Sequence, residues 1–234
     1  MEGEKKQTSV VLLNCSVSPF GNRVRIALAR KGVAYEERPE NLTAKSPLLL
    51  SSNPVLAKIP VLIVDGKPVC ESLAILEFID EAYAGAGEPL LPPADDPFAR
   101  ARARFWAAYV DAKVPESAVK VWRSPAGAAG SAAVEEGTKG LVAVLRTLEE
   151  ELGEKRYFGG ETLGYVDVAL VPFTPWFLTY ERFGGFSVAA ECPTLAAWAA
   201  RCASENTCVA ASLPDAEAVY QFVCGMRKHF GLDG

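Results

Sequence analysis

Residues 58–83, KIPVLIVDGKPVCESLAILEFIDEAY, decide the fold in one stretch. Pro60 opens a run of four apolar residues, Val61-Leu62-Ile63-Val64. The run is short, β-branched and bounded by turn residues, so it reads as a strand rather than a helix. Asp65-Gly66 follows, a dipeptide that readily supplies the left-handed residues of a tight hairpin turn. Lys67-Pro68-Val69-Cys70 then reads as the returning strand. Ser72 is expected to cap a helix running to about Tyr83, because Leu73, Ile75, Leu76, Phe78 and Ile79 build one apolar face.

Upstream of this stretch, Lys45-Ser46-Pro47-Leu48-Leu49-Leu50 predicts a short helix, with Ser46 as cap and Pro47 in the first helical position. Val33 to Glu37 reads as a strand. The segment before it carries apolar residues at Val24, Ile26, Ala27 and Leu28. It ends in Arg30-Lys31-Gly32, a cationic last turn followed by a helix stop. Val10 to Leu13 reads as a buried strand. The order is β-α-β-α-β-β-α, a four-stranded mixed sheet with helices on its faces, which is the thioredoxin-like arrangement.

Downstream, residues 85–97 are too rich in Gly and Pro for regular structure and predict a linker. Residues 1–84 then form an α/β domain, and residues 98–234 an all-α domain, because no strand pattern recurs. Helical periodicity runs over 98–122, 132–152 and 165–182, and another helix begins near Thr194. The small residues of 124–131 predict a flexible connection.

A chain of 234 residues is long enough for two modest cores, and half of it is apolar. The net charge of −5, with no dense Lys/Arg cluster, argues against nucleic acid as a partner. No apolar run approaches the roughly 20 residues of a membrane-spanning helix, and the polar N-terminus is no export signal. A soluble cytoplasmic protein is the expectation, with its six cysteines free and mostly buried. The cysteines show no metal-ligand spacing, and His229 is the single histidine, so no metal site is expected. Catalysis through a histidine triad is excluded as well.

Four elements carry chemistry. Ser18-Pro19-Phe20-Gly21 follows the first strand and opens the first helix. A hydroxyl beside free helix N–H groups favours an anionic sulfur there and lowers a thiol pKa from its usual ~8.5; taken alone, Ser18 reads more readily as a simple cap. Ile59-Pro60 precedes a strand. If that bond is cis, the Ile59 backbone is open to pair with a peptide ligand as an added strand. Glu71-Ser72 at a helix start offers a carboxylate for an ammonium and N–H groups for a carboxylate. Lys45, with Lys58 nearby, suits a distant carboxylate.

These four in this order along a thioredoxin-like pattern lead to a family. The chain resembles the tau class of plant glutathione transferases over nearly its whole length. SPFGNRVRIAL, KSPLLLSSNPV, KIPVLIVDGKPVCESLAILEFIDE, LLPPADDPFARARARFW and LGYVDVALVPF carry the resemblance. It implies a dimeric enzyme with glutathione as co-substrate, conjugating the thiolate to apolar electrophiles for detoxification. Organic hydroperoxide reduction is compatible with the same thiolate. By resemblance, Ser18 activates the thiol, and Lys45, Lys58, Ile59, Glu71 and Ser72 bind the tripeptide. Phe20 is the first candidate for the electrophile pocket, followed by Trp122, Trp176 and Phe222; Trp106 and Trp198 are assigned to packing.

The chain departs from the family pattern at three places. Asn14-Cys15-Ser16-Val17 lacks the usual aromatic residue before SPFG, Ala108 replaces an Asp that follows FWA, and Gly164 replaces the Ser or Thr that precedes Asp167 by three. Asp167 is read as structural. Two other functions remain open on these residues: a glutathione-dependent thiol reductase with Cys15 as nucleophile, and a carrier that holds apolar ligands without turning them over.

Overall fold

The computed structural model describes residues 8–233. It divides into a unit that ends at Pro89 and a unit that begins at Leu90.

In the first unit the order is β1 (Val10–Asn14), α1 (Pro19–Arg30), β2 (Glu36–Pro39), α2 (Pro47–Ser52), β3 (Val61–Val64), β4 (Lys67–Cys70) and α3 (Ser72–Ala82). The sheet order is β2-β1-β3-β4. β1 runs parallel to β2 and antiparallel to β3, and β3 pairs antiparallel with β4. Both faces of β1 are covered, which is why its sequence is a continuous apolar run rather than an alternating one. On one face Val11, Leu13 and Val61 pack with Leu49 of α2. Leu12 and Leu62, paired across the ladder, are fully buried on the other. The hairpin turn has φ of 48° at Asp65 and 79° at Gly66, both left-handed, as a primed turn requires.

Two buried polar ties join α1 to α3. Arg23 Nη1 donates to Ser72 Oγ at 2.8 Å, and Lys31 Nζ pairs with Asp80 Oδ1 at 2.9 Å. Arg23 is fully buried and Lys31 nearly so. The ties lie at opposite ends of the two helices, so they set both spacing and rotation.

The second unit contains α4 (Pro97–Arg123), α5 (Ala128–Leu152), α6 (Tyr165–Leu170), a 3₁₀ segment (Val171–Trp176), α7 (Phe177–Gly184), α8 (Val188–Glu191), α9 (Pro193–Glu205), α10 (Thr207–Ala210) and α11 (Ala216–His229). The long helices α4 and α5 pack along each other, and Gly137 makes their approach possible. A Cβ there would stand 2.6 Å from the Lys120 Cβ. Every residue of α6 is buried. At its start Asp167 accepts from the N–H groups of Phe158, Gly159 and Gly164 at 2.9 Å and from Trp198 Nε1 at 2.8 Å. Burial pushes the Asp167 pKa up, and those four donors pull it back toward the ionised form. Its structural role follows from this set of bonds, which ties α6 to the loop before it and to α9. Trp198 is fully buried, as packing predicts.

Several expectations need correction. The second strand lies at Glu36–Pro39, not 33–37. The Val33 N–H instead returns to the Leu28 carbonyl at 2.9 Å, closing the end of α1. All four β2 residues are exposed, so no apolar pattern marks them. Ser72 is the first residue of α3, and the cap position is Glu71. α5 starts at Ala128 rather than 132, because Gly130 lets the Pro125 carbonyl approach where a Cβ would stand 1.6 Å away. The 165–182 helix is three segments, because Pro172 and Pro175 have no N–H to give an α-helical ladder. Only Cys192 and Cys202 are fully buried, and burial pushes the Cys192 thiol up to about 11 and that of Cys202 higher still. Trp106 is half-buried rather than core.

Replacing Asp167 with Ala would strand four donors in the interior of the helical unit. Asp167→Ala is expected to cost more than about 3 kcal/mol in urea unfolding, since each unpaired buried donor costs on the order of 1–3 kcal/mol.

Candidate functional site

Ser18 is the N-cap of α1. Its backbone is extended, and its Oγ accepts the Gly21 N–H at 3.3 Å. Pro19 fills the first helical position, where no N–H is needed. The turn before it is pinned twice: the Ser18 N–H donates to the Cys15 carbonyl at 2.8 Å, and Asn22 Nδ2 to the Ser16 carbonyl at 3.1 Å. Because Ser18 Oγ acts as an acceptor toward the helix, its own proton is left to donate to a ligand. No acidic residue occupies the first turn of α1. The helix N-terminus therefore presents its positive end undiluted.

The start of α3 has the same character. Glu71 sits at φ 68° and ψ 117°, a backbone that side-chain-bearing residues rarely adopt. That turn leaves the Glu71 carboxylate exposed while Ser72 is buried. Ser72 Oγ accepts from Arg23, so its proton too is available for an anionic ligand. The α1 and α3 N-termini are thus held together by one buried guanidinium, which also lies 5.1 Å over the Phe20 ring.

The Ile59-Pro60 bond is cis. Ile59 is half-buried and packs on the Val11, Leu13 and Val61 cluster. Its approach is set by Asn53, 4% exposed, whose Nδ2 donates to the Lys58 carbonyl at 3.0 Å and whose Oδ1 accepts from the Leu56 N–H at 3.2 Å. Lys58 and Lys45 are exposed. Lys45 directly precedes Ser46, the α2 cap, whose Oγ accepts from the Leu49 N–H and donates to Glu40 at 2.6 Å. Cys15 is half-buried in the turn before the helix and is not at the helix start itself. Burial, and then the Glu71 charge, raise the Cys70 pKa, which disfavours its thiolate.

In the second unit the Trp122 and Trp176 rings lie 6.3 Å apart at 54°, and Trp176 lies 6.2 Å from Tyr180. Trp122 is half-buried and Trp176 is 8% exposed. Phe222 on α11 is half-buried. Ala108 is exposed on α4. Sequence reasoning missed Arg23, Asn14 and Asn53, which hold the frame of the first unit. Arg23 carried a signal: it falls at helical spacing from Phe20, Ile26 and Ala27, so a cation was due to be buried with them.

The family described as glutathione S-transferase, N-terminal domain matches residues 8–81, and that described as glutathione S-transferase, C-terminal domain matches residues 131–201. Glutathione S-transferase U25 of Arabidopsis thaliana is 51% identical over 224 residues, covering 96% of this chain and 97% of the relative. The probable glutathione S-transferase parA of Nicotiana tabacum is 49% identical, covering 97% of this chain and 99% of the relative. Among solved structures, rice GST1 in complex with glutathione superposes with a TM-score of 0.88 at 50% identity, over 96% of this chain and 99% of that one. The tau class glutathione S-transferase of mango superposes with a TM-score of 0.81 at 40% identity, over 92% and 97%.

Gly21 is the closest approach in the first unit: a Cβ there would fall 1.6 Å from the Asn14 Oδ1. Asn14 is fully buried, with its Nδ2 on Glu37. Gly21→Ala is expected to lower stability by about 1–3 kcal/mol, the usual cost of overpacking, read as a shift in the denaturant midpoint.

Proposed function

The chain belongs to the tau class of glutathione S-transferases, and from that membership we propose that Ser18 is the residue that activates the glutathione thiol. Glutathione is the co-substrate, and the reaction is conjugation of its thiolate to an electrophile. The observation that carries the Ser18 assignment is its cap geometry: an oxygen that accepts the Gly21 N–H, which leaves the hydroxyl proton to be donated elsewhere. That proton stabilises a sulfur anion at the positive end of α1, which lowers the thiol pKa and raises the thiolate fraction at neutral pH.

The remaining assignments follow the polarity of the tripeptide. The exposed Glu71 carboxylate takes the γ-glutamyl ammonium. Ser72 and the first N–H groups of α3 take its carboxylate, with Arg23 orienting the Ser72 hydroxyl as a donor. The Ile59 backbone pairs with the cysteinyl unit as an added strand would. Lys45 and Lys58 neutralise the glycyl carboxylate. Residues 1–84 are thus the glutathione-binding domain, 85–97 a linker, and 98–234 the electrophile-binding domain. Phe20, Trp122, Trp176 and Phe222 supply apolar surface for the electrophile. Attack gains from holding both reactants in one place. The same thiolate reduces an organic hydroperoxide: it takes one oxygen to give an alcohol and a sulfenic acid, which a second glutathione converts to glutathione disulfide and water.

The protein works as a cytoplasmic homodimer. On α4, Phe98 is 79% and Phe105 61% exposed, and with Ala101, Arg102 and Trp106 they line a depression of about 350 Å³. In the first unit Val55 is 87% exposed. Exposed apolar groups clustered as they are on α4 mark a surface that another protein covers.

Steady-state conjugation to a chromogenic aryl halide tests the Ser18 assignment. Ser18→Ala is expected to lose on the order of 100-fold in kcat/KM, as for loss of one donor to a reacting anion. Its acidic limb should move to higher pH, toward ~8.5 for a free thiol, because the variant no longer favours the thiolate. Cys15→Ala should stay near native. Activity that survives Ser18→Ala but vanishes in Cys15→Ala would transfer the function to thiol reduction, and no turnover in any form would make the protein a carrier. Separately, Ser72→Ala and Glu71→Gln should raise the glutathione KM about tenfold, the equivalent of one hydrogen bond to a charged group, with a smaller effect on kcat.

A further inference from the structure

Arg227 stands in the last turn of α11 and is 7% exposed. A buried guanidinium is tolerated only where its donors are used. Its Nη1 donates to the carbonyls of Trp122 at 2.6 Å and Ser124 at 2.9 Å. Its Nε donates to Asp233 Oδ1 at 2.6 Å and its Nη2 to the Leu232 carbonyl at 3.3 Å. The group also lies 4.8 Å over the Phe183 ring of α7. One side chain therefore joins the end of α4, α7 and the residues after α11. The Ala126 N–H donates to the Leu232 carbonyl at 2.9 Å, so the α4–α5 connection is bound to the same terminal segment.

The last carbonyls of a helix have no partner within it and carry the negative end of its dipole. α4 is 27 residues long, and Ser124 is its C-cap. Its end is satisfied by a cation from a distant part of the chain. Trp122, the next-to-last residue of α4, is held at its backbone by this cation while its indole rests against Trp176.

We infer that Arg227 is a positioning residue for the electrophile: by fixing the Trp122 carbonyl it sets where the Trp122 indole stands against Trp176. This rests on Trp122 and Trp176 forming the electrophile surface, as proposed above. Arg227 itself has no role toward glutathione. It acts through orientation, and small displacements of a binding wall carry large kinetic costs.

The experiment is two-substrate kinetics on the full chain, with glutathione and with a small and a tricyclic apolar electrophile. The variants are Arg227→Met, Arg227→Lys, Asp233→Asn and Trp122→Ala. Arg227→Met is expected to raise the electrophile KM about five- to tenfold, more for the larger electrophile, with the glutathione KM within about twofold. Arg227→Lys keeps the charge without the planar fork and should restore part of the loss. Asp233→Asn, which leaves the Trp122 and Ser124 contacts in place, should keep a near-native electrophile KM. Trp122→Ala should raise it. An Arg227→Met with unchanged electrophile KM and only a lower Tm would overturn the inference, as would equal increases in both KM values. If Arg227→Met does not fold, Arg227→Lys decides: a native electrophile KM there refutes the inference, and a raised one with native glutathione KM supports it. A raised KM in Trp122→Ala with no change in the Arg227 variants sinks the inference alone, whereas no change in Trp122→Ala sinks the electrophile assignment beneath it.

Discussion

The hydrogen bond from buried Arg23 to Ser72 is the constraint on which the proposed glutathione site depends. It joins the start of α3, to which we assign the γ-glutamyl end, to α1, whose cap Ser18 we assign to the thiol. A guanidinium removed from water is expensive unless its hydrogen bonds are made well. The geometry that satisfies it also fixes the distance between two helix N-termini. Lys31 and Asp80 repeat the tie at the far ends of the same helices, so neither helix can rotate without unpairing a buried charge. Rigidity between the two helix starts follows from desolvation, and it needs no strong net stabilisation from either pair.

The helical unit uses the same physics for a different purpose. Asp167 gathers three backbone N–H groups and an indole N–H, and Arg227 gathers three backbone carbonyls. Both satisfy groups that helix geometry leaves unpaired at helix ends or in loops buried with them. Replacing the usual Ser or Thr by Gly164 removes one side-chain acceptor from the α6 cap. The reciprocal half of the box remains, with Asp167 accepting the Gly164 N–H. The departure from the family pattern therefore leaves one of the two capping bonds in place.

Much of this architecture was legible from local signals. Ser46-Pro47, Asp65-Gly66 and the apolar runs of β1 and β3 each match one local backbone solution, and the structure adopts all of them. What escaped had no local signature. β2 is wholly exposed and is a strand only because the β1 edge accepts it, so its limits could not be read from hydrophobicity. The break of the 165–182 helix was written in Pro172 and Pro175 but hidden by the strong apolar periodicity around them. α5 begins early because Gly130 admits the Pro125 carbonyl, a contact with no sequence counterpart.

The sequence by itself determined the element order, the location of the site motifs and, through those motifs, the family. Local propensity, turn chemistry and polar residues at helix starts act over a few residues and need no distant partner. The tertiary structure alone decided that Ser72 is a buried acceptor for Arg23 rather than a cap, that Glu71 takes a left-handed backbone, and that Arg227 reaches the end of α4 across more than a hundred residues of chain. Those choices are made by burial: once a charge or a backbone group leaves water, it must find its partner wherever the fold has brought one, and linear order carries no record of that meeting.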